Sequence, residues 1–316
     1  MNFLYKVFFF IPNFKSLGFL GKVINKAVSK GFYFIMNKTV PKYYADTQSD
    51  SKYALNNDKR DFELIVTLTT IPSRIDNIWI TLESIFRQSY KPDRIMLWLS
   101  DEEFNGIVLP NSLLQLKARG LEINYCENLR SHNKYYHTVV NNPNATIITV
   151  DDDIIYTENM IANLMQMHTE FPGAVCSNMT HLVTYQDGKL VPYVKWKPTY
   201  KKILKPTHRL IQLGVCGVLY PPKVLPEVCF DKALIRELSY GSDDVWLNTM
   251  CLINNTPIVT NKTFNKYFLT ISGSQKVSLL AINSFQGRKD KILEAVHRYF
   301  KITEQDFNKE VKINTK

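Results

Sequence analysis

Short apolar stretches alternate with helical patterns across residues 62–155. After the first stretch, Ile78, Leu82 and Ile85 share one helical face, and residues 132–142 predict a second helix. Strands that alternate with helices at this spacing favour an α/β fold built on a doubly wound, mostly parallel and right-handed sheet. The predicted strands are 62–70, 94–100, 121–127 and 146–150.

The pattern becomes less regular in the second half of the chain. Residues 174–196 predict a hairpin that turns at Asp187-Gly188, because this pair tolerates the positive φ of a tight turn. Residues 210–222 predict a glycine-punctuated strand, and residues 239–255 predict a helix that opens with a serine as a candidate N-cap. We therefore expect a mixed, irregular layer packed against the sheet.

Composition divides the chain into a basic N-terminal segment, a polar linker, one large domain and a tail. A chain of 316 residues with 45% hydrophobic residues can bury a large core. The predicted boundaries are 1–45, 46–61, 62–300 (with a nucleotide-binding half at 62–155 and an acceptor half at 156–300) and 301–316. The five cysteines lack CxxC spacing, which favours reduced thiols over disulfides or a zinc site.

The net charge of +10 is concentrated at the N-terminus. Residues 1–45 contain seven lysines and no acidic residue, which leaves +3 for the rest of the chain. A near-neutral domain argues against nucleic-acid binding. The apolar runs among these lysines are too short to span a bilayer, so the segment predicts peripheral binding to an anionic membrane surface, at the cytoplasmic face. The alternatives are a helix packed on the domain, a spanning anchor and a cleaved signal peptide, and the signal peptide is disfavoured by the absence of an A-x-A cleavage site.

Three consecutive aspartates, Asp151, Asp152 and Asp153, follow the predicted fourth strand. Adjacent carboxylates at the end of a buried strand repel one another and lose solvation, so a bound cation is expected to offset both costs. In extended chain Asp151 and Asp153 point to one side and Asp152 to the other. Magnesium and manganese prefer oxygen ligands and share them with substrate phosphates. The alternative is an exposed acidic turn that caps the helix beginning near Thr157.

Polar groups also follow the first strand, in "TLTTIPSR". The loop has no glycine to bring backbone close to a phosphate, but Thr69, Thr70 and Arg74 offer two hydroxyls and a planar cation to a nucleotide. Asn133 and Lys134, at the start of the predicted helix before the aspartates, could reach the same nucleotide. The alternatives are a solvated loop and an ordinary exposed lysine.

A second acidic pair, Asp243 and Asp244, opens the predicted helix at 239–255. Carboxylates in a first helical turn are stabilised by the helix dipole, which is the structural alternative. A carboxylate that faces a metal-bound diphosphate could instead serve as the general base for an acceptor hydroxyl. We prefer Asp244 for this role.

Four features together resemble the nucleotide-sugar-dependent glycosyltransferases of the A-type fold. They are the Thr-Thr-Ile-Pro-Ser-Arg loop, the "DDD" at the edge of the fourth strand, "GVCGVLYP", and the acidic pair that opens a late helix. The likeness covers about residues 62–265. It implies the A-type fold of enzymes that build bacterial surface glycans.

The resemblance and the loop and helix positions noted above together give each candidate residue an expected role. The nucleotide-binding candidates are Thr69, Thr70, Arg74, Lys134, Asp151 (beside the ribose) and Asp152; the candidate ligands of Mn²⁺ or Mg²⁺ are Asp153 and Asp151; the candidate acceptor border is Gly217 and Cys216; and the candidate base or acceptor-orienting carboxylate is Asp244 or Asp243.

The leading prediction is a hexosyl- or N-acetylhexosaminyltransferase. It would move a sugar from a nucleotide-sugar, expected to be a UDP-sugar, to a hydroxyl of a lipid-linked or polysaccharide acceptor. A nucleotidyltransferase is the enzymatic alternative, but that activity would require a glycine-rich phosphate loop after the first strand, and "TTIPSR" contains no glycine. A non-enzymatic membrane- or glycan-binding module would leave both acidic clusters without a role.

Overall fold

The computed structural model describes residues 18–197, 205–260, 269–274 and 287–311. The strands are β1 (Leu64–Thr69), β2 (Arg94–Ser100), β3 (Leu121–Cys126), β4 (Thr146–Thr149), β5 (Ile154–Ile155), β6 (Val175–Ser177), β7 (Thr180–Leu182), β8 (Tyr185–Gln186), β9 (Lys189–Leu190), β10 (Leu210–Gln212), β11 (Val218–Tyr220), β12 (Ile258–Thr260) and β13 (Leu269–Thr270). The helices are α1 (Gly18–Asp46), α2 (Ile78–Phe86), α3 (Asp101–Phe104), α4 (Asn111–Ala118), α5 (Tyr136–Asn141), α6 (Met160–Glu170), α7 (Lys232–Leu238), α8 (Asp243–Ile253), α9 (Arg288–Tyr299) and α10 (Glu304–Phe307).

Seven strands form the central sheet in the order β12-β6-β11-β4-β1-β2-β3. All neighbouring pairs are parallel except those of β11, which runs antiparallel to both β4 and β6. The chain winds from β1 outward through β2 and β3 and then returns to the other side of β1 with β4. The predicted α/β fold with a doubly wound, mostly parallel sheet and a mixed second layer is confirmed.

The central strands are buried on both faces. On one face Leu68 and Ile148 pack with Ile78, Leu82 and Ile85 of α2, which are all fully buried. The other face carries a separate apolar cluster that includes the alternate residues of the same strands. Each central strand therefore needs apolar side chains on both faces, as in parallel sheets covered by helices on both sides. This explains why the strand sequences are continuous β-branched and leucine-rich stretches.

The irregular second half differs in detail from its sequence pattern. The Asp187-Gly188 turn is confirmed, with φ values of 51° and 70°, but each strand that flanks it has only two residues. The first part of 174–196 instead supplies β6 to the central sheet. The single strand predicted at 210–222 was wrong, because a 3₁₀ turn divides it into β10, which pairs with β7, and β11.

Two predicted helices are present with altered beginnings. Residues 132–142 form a 3₁₀ turn, Arg130–Lys134, followed by α5. Helix α8 begins at Asp243, directly after Ser242, but the Ser242 side chain makes no capping hydrogen bond. The backbone carbonyl of Ser242 accepts a hydrogen bond from the Ser239 hydroxyl at 2.8 Å instead, so the turn before α8 is held by its own residues.

The described part of the N-terminal segment is the single long helix α1. Its second half packs into the domain, where Met36, Val40 and Tyr44 are buried beside Ile80 and Ile155. This half matches the packed-helix alternative. None of the helices in the described ranges is long and apolar enough to cross a membrane.

A cluster of buried charged and aromatic side chains attaches the end of α1 to the domain. The Arg87 guanidinium lies 4.4 Å from the ring centre of Tyr44 and 3.8 Å from that of Tyr53. It also pairs with the fully buried carboxylate of Glu83 at 3.2 Å, and Arg119 forms a second ion pair with Glu83. The linker turn that contains Tyr53 is thereby tied to α1 and α2 together.

Candidate active site

The loops after β1 and β4 meet at the edge of the sheet where the order of the strands reverses. Open α/β sheets bind ligands at such a point, because the loops on either side lead away from each other and leave a crevice. The Thr70 hydroxyl donates a hydrogen bond of 2.6 Å to Asp152, and Arg74 pairs with Asp152 at 2.5 Å. Arg74 also lies 3.3 Å from Asp153. The structure therefore brings together the two loops that the sequence singled out.

Asp152 is buried and fixed by its neighbours. Burial raises the pKa of its carboxyl, although the Arg74 cation and the Thr70 hydroxyl oppose the shift. Its backbone carbonyl accepts a hydrogen bond of 2.9 Å from the Thr81 hydroxyl. The Thr69 hydroxyl donates instead to the carbonyl of Trp98 in the adjacent strand, at 2.9 Å. Thr69 is thus engaged with the sheet in this structure, whereas Thr70 contacts the aspartates.

Asp153 is the buried last member of the triplet. Burial, together with the carboxylates of Asp151 and Asp152, raises its pKa to about 6, and Arg74 only partly offsets them. The Asp153 backbone carbonyl accepts a hydrogen bond of 2.8 Å from the backbone N–H of Ile271. A small depression in the surface lies here, lined by Ser73, Arg74, Asn77, Asp152, Asp153, Ile271, Gly273 and Ser274.

Lys134 joins the aspartate triplet to the second acidic pair. Its ammonium nitrogen lies 2.8 Å from Asp151 Oδ1 and 2.9 Å from Asp243 Oδ2. Burial alone would lower the pKa of Lys134, but the carboxylates of Asp151, Asp243 and Asp244 raise it well above its usual value. Burial likewise opposes ionisation of Asp243, yet Lys134 and His132 hold the pKa of this carboxyl below its usual value. The predicted lysine is a buried bridge between two carboxylates.

Asp244 occupies a different environment from Asp243. Its Oδ1 accepts a hydrogen bond of 3.1 Å from the backbone N–H of Gly214, and its Oδ2 lies 3.4 Å from the Lys289 ammonium group. Burial and the nearby Asp243 carboxylate raise the pKa of Asp244, and Lys289 counters part of that rise. About a quarter of its side chain is exposed. Asp244 is thus the member of the pair with a raised pKa and access to solvent.

Gly214 sits where the two acidic groups approach each other. A Cβ atom at this position would lie 3.1 Å from Lys134 Nζ, 3.2 Å from Asp151 Oδ1 and 3.6 Å from Asp244 Oδ1. The Asp151 and Asp244 oxygens are therefore at most about 7 Å apart. A side chain at this position would force Lys134 or Asp151 to shift by a few tenths of an ångström.

The predicted acceptor residues, Cys216 and Gly217, follow Gly214 by two and three positions in the chain. Gly217 has a φ of 88°, and a Cβ there would lie 2.7 Å from Met160 Sδ of α6. Cys216 is buried, and burial raises the pKa of its thiol. The assignment of Cys216 and Gly217 to the acceptor stays a prediction, while the glycine that borders the carboxylates in this stretch is Gly214.

Sequence reasoning missed Gly214, Lys289 and Tyr193. The Lys289 ammonium group lies 4.2 Å from the ring centre of Tyr193, and the adjacent Asp290 accepts a hydrogen bond of 2.7 Å from the Tyr193 backbone N–H. Both contacts bring the start of α9 to the site from far along the chain. The only sequence signal for Lys289 was the basic run "GRKDK" at the start of a helical pattern, whereas Gly214 begins the "GVCGVLYP" stretch in which only Cys216 and Gly217 were singled out.

The residues present suit a divalent cation that is shared with a substrate. Asp151 and Asp153 offer only oxygen donors, which Mg²⁺ and Mn²⁺ prefer. The pKa of Asp153 is raised to about 6 by burial and by the neighbouring carboxylates, and a bound cation would oppose both effects. Within the described ranges, no three His, Cys, Asp or Glu side chains are placed to hold an ion by themselves. Such a site would need further oxygen ligands, such as water or substrate phosphates, to complete it.

No protein-family model matches the sequence, and no curated protein matches it. Solved structures with a similar backbone include the mannosyltransferase PcManGT from Pyrobaculum calidifontis in complex with GDP-Man and Mn²⁺, at 11% identity and a TM-score of 0.49, covering 90% of this chain and 77% of that one. They also include S. aureus TarS in complex with UDP, at 14% identity and a TM-score of 0.43, covering 79% and 76%. A 2-C-methyl-D-erythritol 4-phosphate cytidylyltransferase from Thermus thermophilus has 11% identity and a TM-score of 0.41, covering 72% and 100%. Similarity at this level concerns the backbone alone.

Proposed function

We propose that the protein is a metal-dependent glycosyltransferase that moves a sugar from a nucleotide-sugar to an acceptor hydroxyl. The observation that carries the proposal is the approach of Asp244, from the second half of the chain, to Asp151 at the sheet edge across Gly214. One set of carboxylates can then serve the donor and a separate carboxylate the acceptor. A sugar transfer needs the donor-binding groups and the acceptor-activating group within one site.

The donor side is formed by Arg74, Lys134 and the aspartate triplet. Arg74 is a cation at the crevice, suited to the phosphates of a nucleotide, and the Thr70 hydroxyl contacts the same Asp152 carboxylate as Arg74. Lys134, buried between Asp151 and Asp243, would hold Asp151 in position. Asp151 and Asp153 would hold Mn²⁺ or Mg²⁺. When bound, the ion supplies positive charge that neutralises the departing nucleoside diphosphate.

The acceptor side centres on Asp244. As the acceptor oxygen forms its bond to the anomeric carbon, the bond from that carbon to the diphosphate oxygen breaks, and the acceptor proton passes to the Asp244 carboxylate. General-base catalysis of this kind contributes about 10²–10⁴-fold to rate and works best when the pKa of the base lies near the working pH. The raised pKa of Asp244 moves this carboxylate in that direction.

Nucleotidyl transfer fits the site less well. That reaction would place a nucleoside triphosphate against a glycine-rich loop after β1, but the chain has Ile71, Pro72 and a 3₁₀ turn, Pro72–Arg74, at this point. It also would leave the paired carboxylates at the start of α8 without a function. The site therefore favours a sugar donor.

We further propose a UDP-sugar as the donor, a hexosyl or N-acetylhexosaminyl group as the cargo, and a lipid-linked or polysaccharide acceptor in surface glycan synthesis. The basic N-terminal segment supports a peripheral position at the cytoplasmic face of a membrane, close to lipid-linked acceptors.

The test is a panel of nucleotide-sugars and nucleoside triphosphates incubated with the full chain and Mn²⁺. Release of nucleoside diphosphate from one nucleotide-sugar, lost on chelation and lost in Asp244→Asn, would support the proposal. Release of pyrophosphate from a nucleoside triphosphate with a sugar phosphate would show nucleotidyl transfer instead. Thermal stabilisation by a nucleotide-sugar without any turnover would point to a binding module.

A further inference from the structure

Helix α1 has two apolar faces, and only one of them is covered by the domain. Its inner face consists of the buried residues Met36, Val40 and Tyr44. The outer face, as we define it, consists of large apolar side chains that are exposed in the described structure, with Phe19 at 83% and Phe34 at 67%. Its members are Phe19, Leu20, Val23, Phe34 and Ile35.

The outer face comprises two groups, one at Phe19–Val23 and one at Phe34–Ile35, separated by about 16 Å along the helix. At 3.6 residues per turn these five positions fall within about half of the helix circumference, on the side opposite Met36 and Val40, and the distance from Phe19 to Phe34 is about 22 Å. Single exposed apolar residues are ordinary, but five large exposed apolar side chains on one side of a helix indicate an interaction surface.

The positive charge of helix α1 favours an anionic partner. Five exposed lysines accompany the outer face, and the helix contains no acidic residue before Asp46. The lysines are Lys22, Lys26, Lys30, Lys38 and Lys42. A second copy of the same helix would repel this surface, whereas anionic lipid headgroups would attract it at about 1 kcal/mol per lysine. We infer that the outer face of α1 is a docking surface for an anionic lipid bilayer, with its aromatic residues in the headgroup region.

The inner side of the same helix is bonded to the edge of the candidate site. The Tyr33 hydroxyl lies 2.9 Å from the hydroxyl of Thr270, and Asn37 accepts a hydrogen bond of 2.6 Å from the backbone N–H of Ser272. The segment 269–274 in turn borders the depression beside Asp153.

Docking through α1 therefore holds the donor edge of the site near the bilayer. A helix with its side chains is about 10–12 Å across, so the edge lies roughly one helix diameter from the membrane surface. An acceptor presented by a membrane-anchored lipid would reach the site at this distance. This step rests on the proposed function, but the docking itself does not.

Vesicle sedimentation of the full chain at physiological ionic strength tests the docking. The vesicles are phosphatidylcholine with or without phosphatidylglycerol, and we expect binding only when the anionic lipid is present. Replacing Lys22, Lys26 and Lys30 together by Glu should weaken binding by at least about 100-fold, since each lysine near the surface contributes about fivefold and each glutamate adds repulsion. The matched control reverses three exposed lysines outside the helix, Lys59, Lys117 and Lys189.

A second pair of variants separates apolar insertion from charge. Phe19→Ser with Phe34→Ser should weaken binding by about tenfold or more, while Val108→Ser with Val194→Ser, which are also exposed, should bind as the unmodified chain does. Circular dichroism confirms that each variant is folded.

Three results would overturn the docking: no sedimentation of the unmodified chain with anionic vesicles, equal binding by the outer-face variants and their controls, or a change of oligomeric state in the outer-face variants without a change in vesicle binding. Turnover separates this proposal from the proposed function. Outer-face variants should keep donor hydrolysis and lose transfer to a vesicle-borne acceptor. A chain that binds vesicles but never turns over a nucleotide-sugar would contradict the function and leave the docking supported.

Discussion

The ammonium group of Lys134 lies 2.9 Å from the carboxylate of Asp243, and both side chains are almost fully buried. Lys134 belongs to the turn before α5, and Asp243 opens α8. Removing one partner of a buried ion pair leaves an uncompensated charge, at a cost of about 3–5 kcal/mol. This pair therefore holds the turn before α5 and the start of α8 in a fixed relation, and Asp243 is better suited to structural support than to proton transfer.

Asp153→Asn should abolish metal-dependent nucleotide binding. The variant keeps the shape of the side chain but removes the charge that would share a divalent cation with the diphosphate. Isothermal titration with UDP in the presence and absence of Mn²⁺ measures the effect, with Asp187→Asn in the exposed hairpin turn as the matched control. Since a cation competes with the proton on a carboxyl of pKa about 6, Mn²⁺-dependent affinity should rise between pH 5 and pH 7 in the unmodified chain. Unchanged Mn²⁺-dependent binding by Asp153→Asn would remove Asp153 from the metal site.

Asp244→Asn should lower turnover by about 10²–10⁴-fold with little change in donor affinity. The amide still accepts the hydrogen bond from Gly214 but cannot take a proton from the acceptor. Steady-state kinetics with saturating acceptor, together with direct measurement of donor binding, separates the two effects. If donor affinity falls while turnover survives, Asp244 binds the donor and the base must be sought elsewhere.

Gly214→Ala should reduce activity by about 10- to 10²-fold while the protein stays folded. The added methyl group would lie 3.1–3.2 Å from Lys134 and Asp151, so these side chains must shift, and small displacements of catalytic groups are costly. Gly173→Ala is the control, because nothing lies within 4 Å of a Cβ at that position. Equal activity in the two variants would show that the close approach at Gly214 is not needed for the reaction.

Lys289→Met should move the acidic limb of the pH–rate profile upward by about 1–3 pH units. Lys289 favours the ionised form of Asp244, so its removal raises the pKa of that carboxyl, and the base then becomes protonated at a higher pH. The pH dependence of kcat/KM reports this shift, and Lys291→Met on the exposed side of α9 serves as the control. A uniform loss of rate at every pH would assign Lys289 a structural role only.

His297 should make the fold less stable in acid. Burial lowers its pKa to about 4, whereas an unfolded histidine titrates near 6.5. The unfolded chain therefore binds more protons below pH 6.5, and stability is lost as the pH falls from 6.5 towards 4, by up to about 3 kcal/mol. Urea unfolding of His297→Gln at pH 7 and pH 4.5 should show a smaller decline than the unmodified chain shows. Parallel declines would mean that His297 titrates alike in the folded and unfolded states.

The central sheet could be predicted from the sequence because its strands are apolar on both faces. Residues 94–100 were predicted as a strand and form one from Arg94 to Ser100. The stretch 210–222 was misread, since its division depends on Gly217, whose φ of 88° lets the chain leave β10 and enter β11 beside β4. Local pattern does not reveal which sheet a three-residue strand will join.

The candidate site could be located from the sequence only where its residues follow strands or open helices. Thr70, Arg74 and the aspartate triplet share a strand edge, which fixes their proximity once the sheet is parallel. Lys289 reaches Asp244 through tertiary packing over 45 residues of separation, and no periodicity encodes such a contact. The sequence suggested that the Thr69 hydroxyl could contact a nucleotide. In the structure this hydroxyl donates a hydrogen bond to the backbone carbonyl of Trp98 instead.

The antiparallel strand β11 lies between β4 and β6, and this order has a consequence during synthesis on the ribosome. After β4 emerges, about 70 more residues must be translated before β11 can pair with it, which takes roughly 4–14 s at 5–20 residues per second. Throughout that interval one edge of β4 has its backbone groups unpaired, and an open apolar edge invites pairing with other chains. Nascent chains stalled between β6 and β11 should therefore be the species that most requires protection by a chaperone.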